Sequence, residues 1–198
     1  MIQTQEEYWK ANAAYHARSP GDPDANYHFF QRALKRAQLT YNPTILELGS
    51  GIGSNLVALN RCFGAPKMTA VEVNKDALDQ VPLGIRKINY SILCWTPDDK
   101  WDLVFTKGVL IHIPLESLLR AYRTMVDASN RYILIAEYFC PTSRMIPYRG
   151  EDDRLWARDF AGEMMDAHGL KLVDYGFVYK RDQHPQDDVT WFLMEKPQ

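Results

Sequence analysis

A short apolar run that ends in an acidic residue and three alternating glycines constrains this chain more than any other feature. It reads Thr44-Ile-Leu-Glu-Leu-Gly-Ser-Gly-Ile-Gly53, and a second apolar run later in the chain, Met68-Thr-Ala-Val-Glu-Val-Asn74, also ends in an acidic residue. Glycine lets the backbone turn sharply and approach a ligand closely. A carboxylate at the tip of the next strand can accept both hydroxyls of a ribose. The pattern therefore predicts a site for an adenosine-containing cofactor.

The glycine spacing argues against a dinucleotide. In the dinucleotide fingerprint G-x-G-x-x-G the last glycine would fall on Ser54, whereas here it comes early, at Gly53. Glu47 at the strand exit disfavours a pyrophosphate on the following helix, but it favours the ammonium and sulfonium of S-adenosylmethionine. The E-x-G-x-G-x-G pattern resembles motif I of the class I S-adenosylmethionine-dependent methyltransferases; a nucleotide-binding relative with another cofactor is the alternative. The resemblance implies cofactor contacts from Glu47, Gly49, Ser50, Gly51, Gly53 and, at the ribose, Glu72.

The bulk properties narrow the class of protein. A length of 198 residues predicts one domain, residues 1–198. A net charge of −2 gives no reason to expect a nucleic-acid partner. No apolar run reaches the roughly 20 residues of a membrane span, and the polar N-terminus is unlike a signal peptide. Three scattered cysteines suggest a reducing compartment, and the histidines show no metal-ligand spacing. We expect a soluble, cytoplasmic protein with no metal and no membrane partner.

Apolar runs alternate with helical patterns, which indicates an α/β fold with a mainly parallel sheet. After the first strand, strands are predicted at 67–73, 86–90, 101–106, 131–139, 170–180 and 188–195. Helices are predicted at 26–39, at 55–63, from Pro114 onward and at 154–168. The last two strands have no helix between them, so they must pair as an antiparallel hairpin. The prediction is a Rossmann-like class I methyltransferase fold with seven strands and helices on both faces.

Ligands of open α/β sheets lie beyond the carboxyl ends of the strands. Val73 follows the second strand, and Ser91 and Ile92 follow the third, where they are candidates for an adenine pocket. Lys107 follows the fourth strand and is predicted to pass near the methionine moiety.

For three further residues the sequence leaves two structural or functional roles open. His112 is either a general base, because imidazole titrates near neutral pH, or a residue that walls the cofactor pocket. Tyr8 and Trp9 either fold over the cofactor as part of an N-terminal cap (residues 1–25) or serve as packing residues.

The segment from Ile146 to Arg158 is dense in charge and follows the fifth strand. Loops at this end of a sheet often carry specificity, and arginine forks suit carboxylate or phosphate ligands. Arg149 and Arg154 are therefore predicted to bind an acidic acceptor. The alternative is a solvated loop of internally paired charges.

Several later stretches resemble the pseudaminic acid biosynthesis-associated methylases, which belong to the class I family. The stretches are Phe105-Thr-Lys-Gly-Val-Leu-Ile-His-Ile113, Ser129-Asn-Arg-Tyr-Ile-Leu-Ile-Ala-Glu-Tyr138, Ile146-Pro-Tyr-Arg-Gly-Glu151, Arg158-Asp-Phe-Ala-Gly-Glu-Met164, Asp174-Tyr-Gly-Phe-Val-Tyr179 and Gln186-Asp-Asp-Val-Thr-Trp-Phe192. This chain departs from that family in the glycine turn, where the family often lacks one glycine. The resemblance implies methyl transfer to a small acidic or amino sugar linked to nonulosonic acids.

The nucleophile of such a reaction must be placed in line and, if it is a hydroxyl, needs a base. Candidate catalytic residues are His112, Glu137 and Tyr148, and candidate acceptor-binding residues are Tyr138, Tyr148, Arg149 and Arg154. Two other functions stay open: a small-molecule N- or O-methyltransferase of another pathway, and a non-catalytic cofactor-binding partner. The sequence leaves the oligomeric state open.

Overall fold

A seven-stranded sheet forms the centre of the molecule. The computed structural model describes residues 4–11, 22–151 and 153–197. The strands are β1 Thr44–Leu48, β2 Lys67–Glu72, β3 Arg86–Asn89, β4 Trp101–Lys107, β5 Ser129–Glu137, β8 Lys171–Val178 and β9 Val189–Glu195, with two short strands, β6 Arg144–Met145 and β7 Trp156–Ala157, outside the sheet. The order is β3-β2-β1-β4-β5-β9-β8. Strands β1 to β5 pair in parallel, whereas β9 is antiparallel to both of its neighbours. The predicted fold class is confirmed.

Helices cover both faces of this sheet, as the sequence predicted. They are α1 Gln5–Ala11, α2 Pro23–Ala33, α3 Ser54–Cys62, α4 Lys75–Gln80, α5 Leu115–Ala128 and α6 Phe160–His168, with a 3-10 turn at Leu110–His112. Successive residues of β5 enter opposite cores. Ile133 and Ile135 pack with α5 and α6, and Leu134 packs with α2 and α3. Each such fully buried side chain contributes about 1.5–3 kcal/mol.

Three predicted helix boundaries are wrong. The helix predicted at 26–39 ends at Ala33, and capping explains the other two boundaries, which are helix starts. The helix predicted at 26–39 begins at Pro23, because the Asp22 side chain accepts the backbone N–H of Asp24 and proline suits the first helical position. The helix predicted at 154–168 begins only at Phe160, because Asp159 caps it by accepting the N–H of Gly162 at 2.8 Å. Strand β7, Trp156–Ala157, precedes that cap, and Arg154 comes before β7, outside the helix.

The charged segment after β5 folds as a hairpin and not as an open loop. Strands β6 and β7 pair antiparallel, and Tyr148 and Glu151 exchange two backbone hydrogen bonds of 2.8 and 3.0 Å. Arg149 and Gly150 between them have φ values of 56° and 84°. This is the geometry of a two-residue hairpin turn that follows the sheet twist.

Within the described ranges, no helix combines the length and apolar character needed to cross a membrane. Those ranges also contain no group of three His, Cys, Asp or Glu side chains that could hold a metal ion.

Candidate active site

A cavity of about 700 Å³ opens at the carboxyl ends of β1, β2, β4 and β5. The strand order reverses between β1 and β4, which is where doubly wound sheets bind their ligands. Most of the residues predicted from the sequence line this cavity: Trp9, Gly49, Ser50, Gly51, Glu72, Val73, Ser91, Ile92, Lys107, His112, Glu137, Tyr138 and Tyr148. Five do not line it: Tyr8, Glu47, Gly53, Arg149 and Arg154.

The glycine turn is fastened to the neighbouring strand. The N–H groups of Gly49 and Ser50 donate to the carbonyl of Val71 at 2.8 and 3.1 Å. Gly49 has a φ of +77°, and a Cβ atom there would lie 2.6 Å from Cγ2 of Val109. Both the backbone conformation and the close approach therefore require glycine at this position. The turn leaves its backbone exposed to the cavity.

Glu72 joins the end of β2 to this turn. Its Oε2 accepts the N–H of Gly51 at 2.8 Å, and its Oε1 accepts the N–H of Asn74 at 2.8 Å. The side chain is buried but lines the cavity. A carboxylate offers about four lone-pair sites, so two hydrogen bonds to the backbone leave room for a ligand's hydroxyls.

Glu47 lies beneath the turn, fully buried on the face of the sheet that α3 covers. Its Oε1 accepts from Asn55 Nδ2 at 2.7 Å, and no described residue donates to its Oε2. Burial raises the pKa of Glu47 to about 8, against the Asn55 hydrogen bond and the positive charge of Lys107, which lower it. An unpartnered carboxylate oxygen in this place has unmet affinity for a donor or a cation.

Helix α1 lies over the β2–β3 end of the cavity. Asn74 Nδ2 donates to the carbonyls of Trp9 and Lys10 at 2.9 and 3.1 Å, which ties the last turn of α1 to the end of β2. Lys10 and, to a smaller extent, the side chain of Ser91 lower the pKa of Glu6. Trp9 and Ser91 thus line the same end of the cavity. Of the predicted cap over residues 1–25, residues 1–3 and 12–21 lie outside the described residues.

Lys107 and Glu137 lie at the opposite end of the cavity, beyond β4 and β5, and are groups of opposite charge type. Burial lowers the pKa of Lys107, against the charges of Glu47 and Glu137, which raise it. Glu137 accepts the backbone N–H groups of Val109, Leu110 and Ile111 at 3.1, 3.2 and 3.3 Å. Burial raises the pKa of Glu137 to about 7, although these hydrogen bonds lower it. Glu137 therefore anchors the 3-10 turn and titrates near neutral pH.

His112 stands on that turn between two aromatic side chains. Its ring centroid lies 4.7 Å from that of Trp9 and 5.0 Å from that of Tyr148. Its Nδ1 is 2.7 Å from the carbonyl oxygen of Arg154. A carbonyl only accepts hydrogen bonds, so Nδ1 carries the proton in this contact and Nε2 is the basic nitrogen of the neutral ring. His112 thus has the tautomer of a base and also the contacts of a wall residue.

The two predicted anion-binding arginines have other contacts. The Arg154 side chain is 8% exposed, donates to Glu151 at 2.5 Å and lies with Cζ 5.1 Å from the ring centroid of Tyr8. Arg149 is exposed at the hairpin tip, with Cζ 5.3 Å from the ring centroid of Tyr148. Gly53 precedes α3 with a φ of +85°. None of these three residues lines the cavity.

Several lining residues were not predicted from the sequence: Glu6, Asp22, Asn26, Asn55, Gln186 and Asp187. Asp22 carries a visible signal as the cap before Pro23, but only as a helix start. Asp187 carries none. It reaches the cavity because β9 inserts between β5 and β8, which places the β8–β9 connection beside Tyr138, whose hydroxyl donates to Asp187.

Comparison with known proteins supports the architecture. No protein-family model matches the chain, and no curated protein matches it in sequence. Solved structures match almost all of it. Magnesium protoporphyrin IX methyltransferase (ChlM) from Synechocystis PCC 6803 with bound SAM is 12% identical with a TM-score of 0.72, and 98% of each chain is covered. The DhpI–SAH complex is 18% identical with a TM-score of 0.67, covering 98% of this chain and 96% of that one.

A third structure is 1,6-didemethyltoxoflavin-N1-methyltransferase from Burkholderia thailandensis, with bound 1,6-didemethyltoxoflavin and S-adenosylhomocysteine. It is 13% identical with a TM-score of 0.69, covering 100% of this chain and 92% of that one. These likenesses show that the chain has the class I methyltransferase fold.

Proposed function

We propose that this protein is an S-adenosylmethionine-dependent methyltransferase of a small molecule. The observation that carries the proposal is the position of Glu72: its carboxylate stands at the end of β2, bonded to the N–H of Gly51 at 2.8 Å, inside a cavity of about 700 Å³. In Rossmann-type sheets a carboxylate in this place hydrogen-bonds the ribose hydroxyls. Several structures of the same fold hold S-adenosylmethionine or S-adenosylhomocysteine, which supports the same cofactor here.

The residues present fit this cofactor better than a dinucleotide. Glu72 would hold the ribose, the glycine turn would hold the methionine portion, and Ser91 and Ile92 would border the adenine. The buried Oε2 of Glu47 has no described donor and would favour the cofactor's positive groups. A pyrophosphate would instead meet the carboxylate of Glu72 and would oppose ionisation of Glu47.

This cofactor supplies an activated methyl group, which a nitrogen or oxygen nucleophile displaces while the electron pair of the carbon–sulfur bond returns to sulfur. The protein's own task is then placement and proton removal. Glu137, Tyr138 and Lys107 line the end of the cavity beyond β4 and β5, where the acceptor would lie. His112 and Tyr148 border it and complete the group of candidate catalytic residues.

The sequence resemblance extends the proposal to the acceptor, a small acidic or amino sugar linked to pseudaminic and related nonulosonic acids. A small molecule of another pathway is the second candidate, because neighbours of this fold are named for a porphyrin and for toxoflavin.

Two measurements test the proposal in sequence. Titration calorimetry should detect S-adenosylhomocysteine binding, and saturation at about 100 times Kd should add about 2.7 kcal/mol of stability. NAD serves as the matched control, and binding of NAD without any response to S-adenosylhomocysteine would overturn the assignment.

Incubation with methyl-labelled S-adenosylmethionine and a panel of nonulosonate intermediates then addresses the acceptor. Label transfer to a member of the panel supports the sugar assignment. Transfer only to an unrelated small molecule would place the enzyme in another pathway. Tight cofactor binding without label transfer to any of them would favour the non-catalytic partner.

A further inference from the structure

The charges around the cavity are strongly one-sided. Five of the lining residues that the structure describes are acidic: Glu6, Asp22, Glu72, Glu137 and Asp187. Lys107 is the one lysine or arginine among those same residues. Glu72 belongs to the proposed ribose site, and Glu6 pairs with Lys10 at 2.6 Å. The other three are Glu137, which ends β5, Asp187, which contacts Tyr138, and Asp22, which caps α2, whose Asn26 contacts Gln186 at 3.3 Å. We take these three as the acceptor side.

The described hydrogen-bond partners of these three carboxylates are neutral donors. Asp22 accepts the N–H of Asp24 at the start of α2. Glu137 accepts three backbone N–H groups of the 3-10 turn. Asp187 accepts the hydroxyl of Tyr138. A neutral donor satisfies a carboxylate oxygen without bringing a positive charge to it. At Glu137 burial outweighs these hydrogen bonds and raises the pKa to about 7, so a cation nearby would favour its ionised form.

The cations near the cavity do not offset the negative charges of these carboxylates. Lys107 is influenced by two buried carboxylates, Glu47 and Glu137, both of which stabilise its positive charge. Arg154 faces Glu151 and Asp153 at 2.5 and 3.7 Å, outside the cavity lining. A carboxylate or phosphate entering the acceptor side would therefore meet like charges in a partly desolvated space, where repulsion is strong.

We infer that the acceptor presents an amine to this side of the cavity and is methylated on nitrogen. The inference rests on the proposed function and chooses between the two sugar classes that the resemblance leaves open. An ammonium would donate charge-assisted hydrogen bonds to these carboxylates. The amine must be neutral to react, and Glu137, which titrates near neutral pH, is placed to receive its proton.

Sinefungin tests this inference without knowledge of the acceptor. It is a cofactor analogue that carries a primary amine where S-adenosylmethionine carries the reactive methyl group, so its ammonium reports on the acceptor side. S-adenosylhomocysteine has neither the methyl group nor that charge. We expect sinefungin to bind the wild-type protein more tightly than S-adenosylhomocysteine in calorimetry at pH 7.5.

Two variants remove one negative charge each and keep an acceptor oxygen. Asp187→Asn preserves an acceptor for the Tyr138 hydroxyl, and Glu137→Gln preserves one for the turn. At least one should weaken sinefungin by about tenfold, the size of one charge-assisted hydrogen bond, while S-adenosylhomocysteine changes by less than about twofold. Asp166→Asn, which removes the same charge from the exposed face of α6, should leave both ligands unchanged.

The outcomes distinguish a failure of the proposed function from a failure of the amine inference. Failure of the wild-type protein to bind S-adenosylhomocysteine would remove the proposed function itself. Normal S-adenosylhomocysteine binding with no sinefungin preference, or with both variants unchanged, would overturn the amine inference alone. Methylation of a sugar that has no amine would overturn it as well.

Discussion

Gly49 and Val109 meet where the strand order reverses: a Cβ atom at position 49 would lie 2.6 Å from Cγ2 of Val109. Val109 precedes the 3-10 turn that follows β4, and Gly49 begins the turn that follows β1. The two strand ends therefore approach each other more closely than any side chain at position 49 would allow.

Gly49→Ala should damage both the fold and the cofactor site. The left-handed φ of +77° costs about 1–2 kcal/mol for alanine, and the contact with Val109 adds an overpacking cost of about 1–3 kcal/mol. Displacement of the turn should lower the affinity for S-adenosylhomocysteine, measured by calorimetry, at least tenfold. Gly84→Ala is the matched control, because Gly84 has a φ of +87° but nothing within 4 Å of the added Cβ. Gly84→Ala should be destabilised only by the cost of its left-handed backbone conformation.

Glu72→Gln should weaken the binding of S-adenosylhomocysteine by about tenfold or more, because one charge-assisted hydrogen bond contributes about 1.5–3 kcal/mol. Glutamine keeps one acceptor oxygen for Gly51 or Asn74, whereas alanine would leave two buried N–H groups unsatisfied. Calorimetry on the glutamine variant thus separates ligand loss from misfolding. An affinity equal to that of the wild type would mean that the ribose lies elsewhere.

The parts of the fold that follow from local chemistry could be predicted from the sequence. The apolar runs of β1, β2, β4 and β5 are buried on both faces, so they stand out as continuous hydrophobic stretches. The glycine turn requires φ values above zero, and glycine is the residue that adopts them readily. Ser91, Lys107 and His112 were predicted because they follow strand ends, and all three line the cavity.

The parts that depend on distant contacts could not be predicted. Arg154 has the chemistry of an anion ligand. Its pairing with Glu151, three residues earlier, agrees with the alternative of internally paired charges, whereas its contact with Tyr8 in α1 depends on the tertiary fold. Asp187 is far from Tyr138 in sequence, and only the insertion of β9 next to β5 joins them. Charge and spacing identify a candidate, whereas its partner depends on the tertiary fold.

The stability of the ligand-free protein should fall as pH rises from about 4.5 to 8. Burial raises the pKa of Glu47 from 4.5 to about 8 and that of Glu137 to about 7. The folded state therefore binds more protons than the unfolded state across this window, so deprotonation favours unfolding.

Glu47→Gln tests this pH dependence, because the amide cannot ionise and keeps the oxygen that accepts from Asn55. Relative to the wild type, the variant should gain stability between pH 5 and 8.5, on the order of 1–4 kcal/mol. Thermal melts across that range measure the gain. Parallel wild-type and variant curves would show that Glu47 titrates at its ordinary pKa.

Arg149 occupies a left-handed position, with a φ of 56°, at the tip of the hairpin. Arg149→Gly should be more stable than Arg149→Ala by about 1 kcal/mol, because both lose the guanidinium but only alanine keeps the backbone strain. Denaturant melts measure this difference, and equal stabilities would contradict it.

The same pair of variants tests the acceptor role predicted for Arg149 from the sequence. If the guanidinium binds the acceptor, KM for the acceptor should rise in both variants while S-adenosylhomocysteine affinity stays as in the wild type. A KM that is unchanged in both would assign Arg149 to the hairpin alone, and the charged wall formed by Glu137 and Asp187 would then be the part of the cavity that recognises the acceptor.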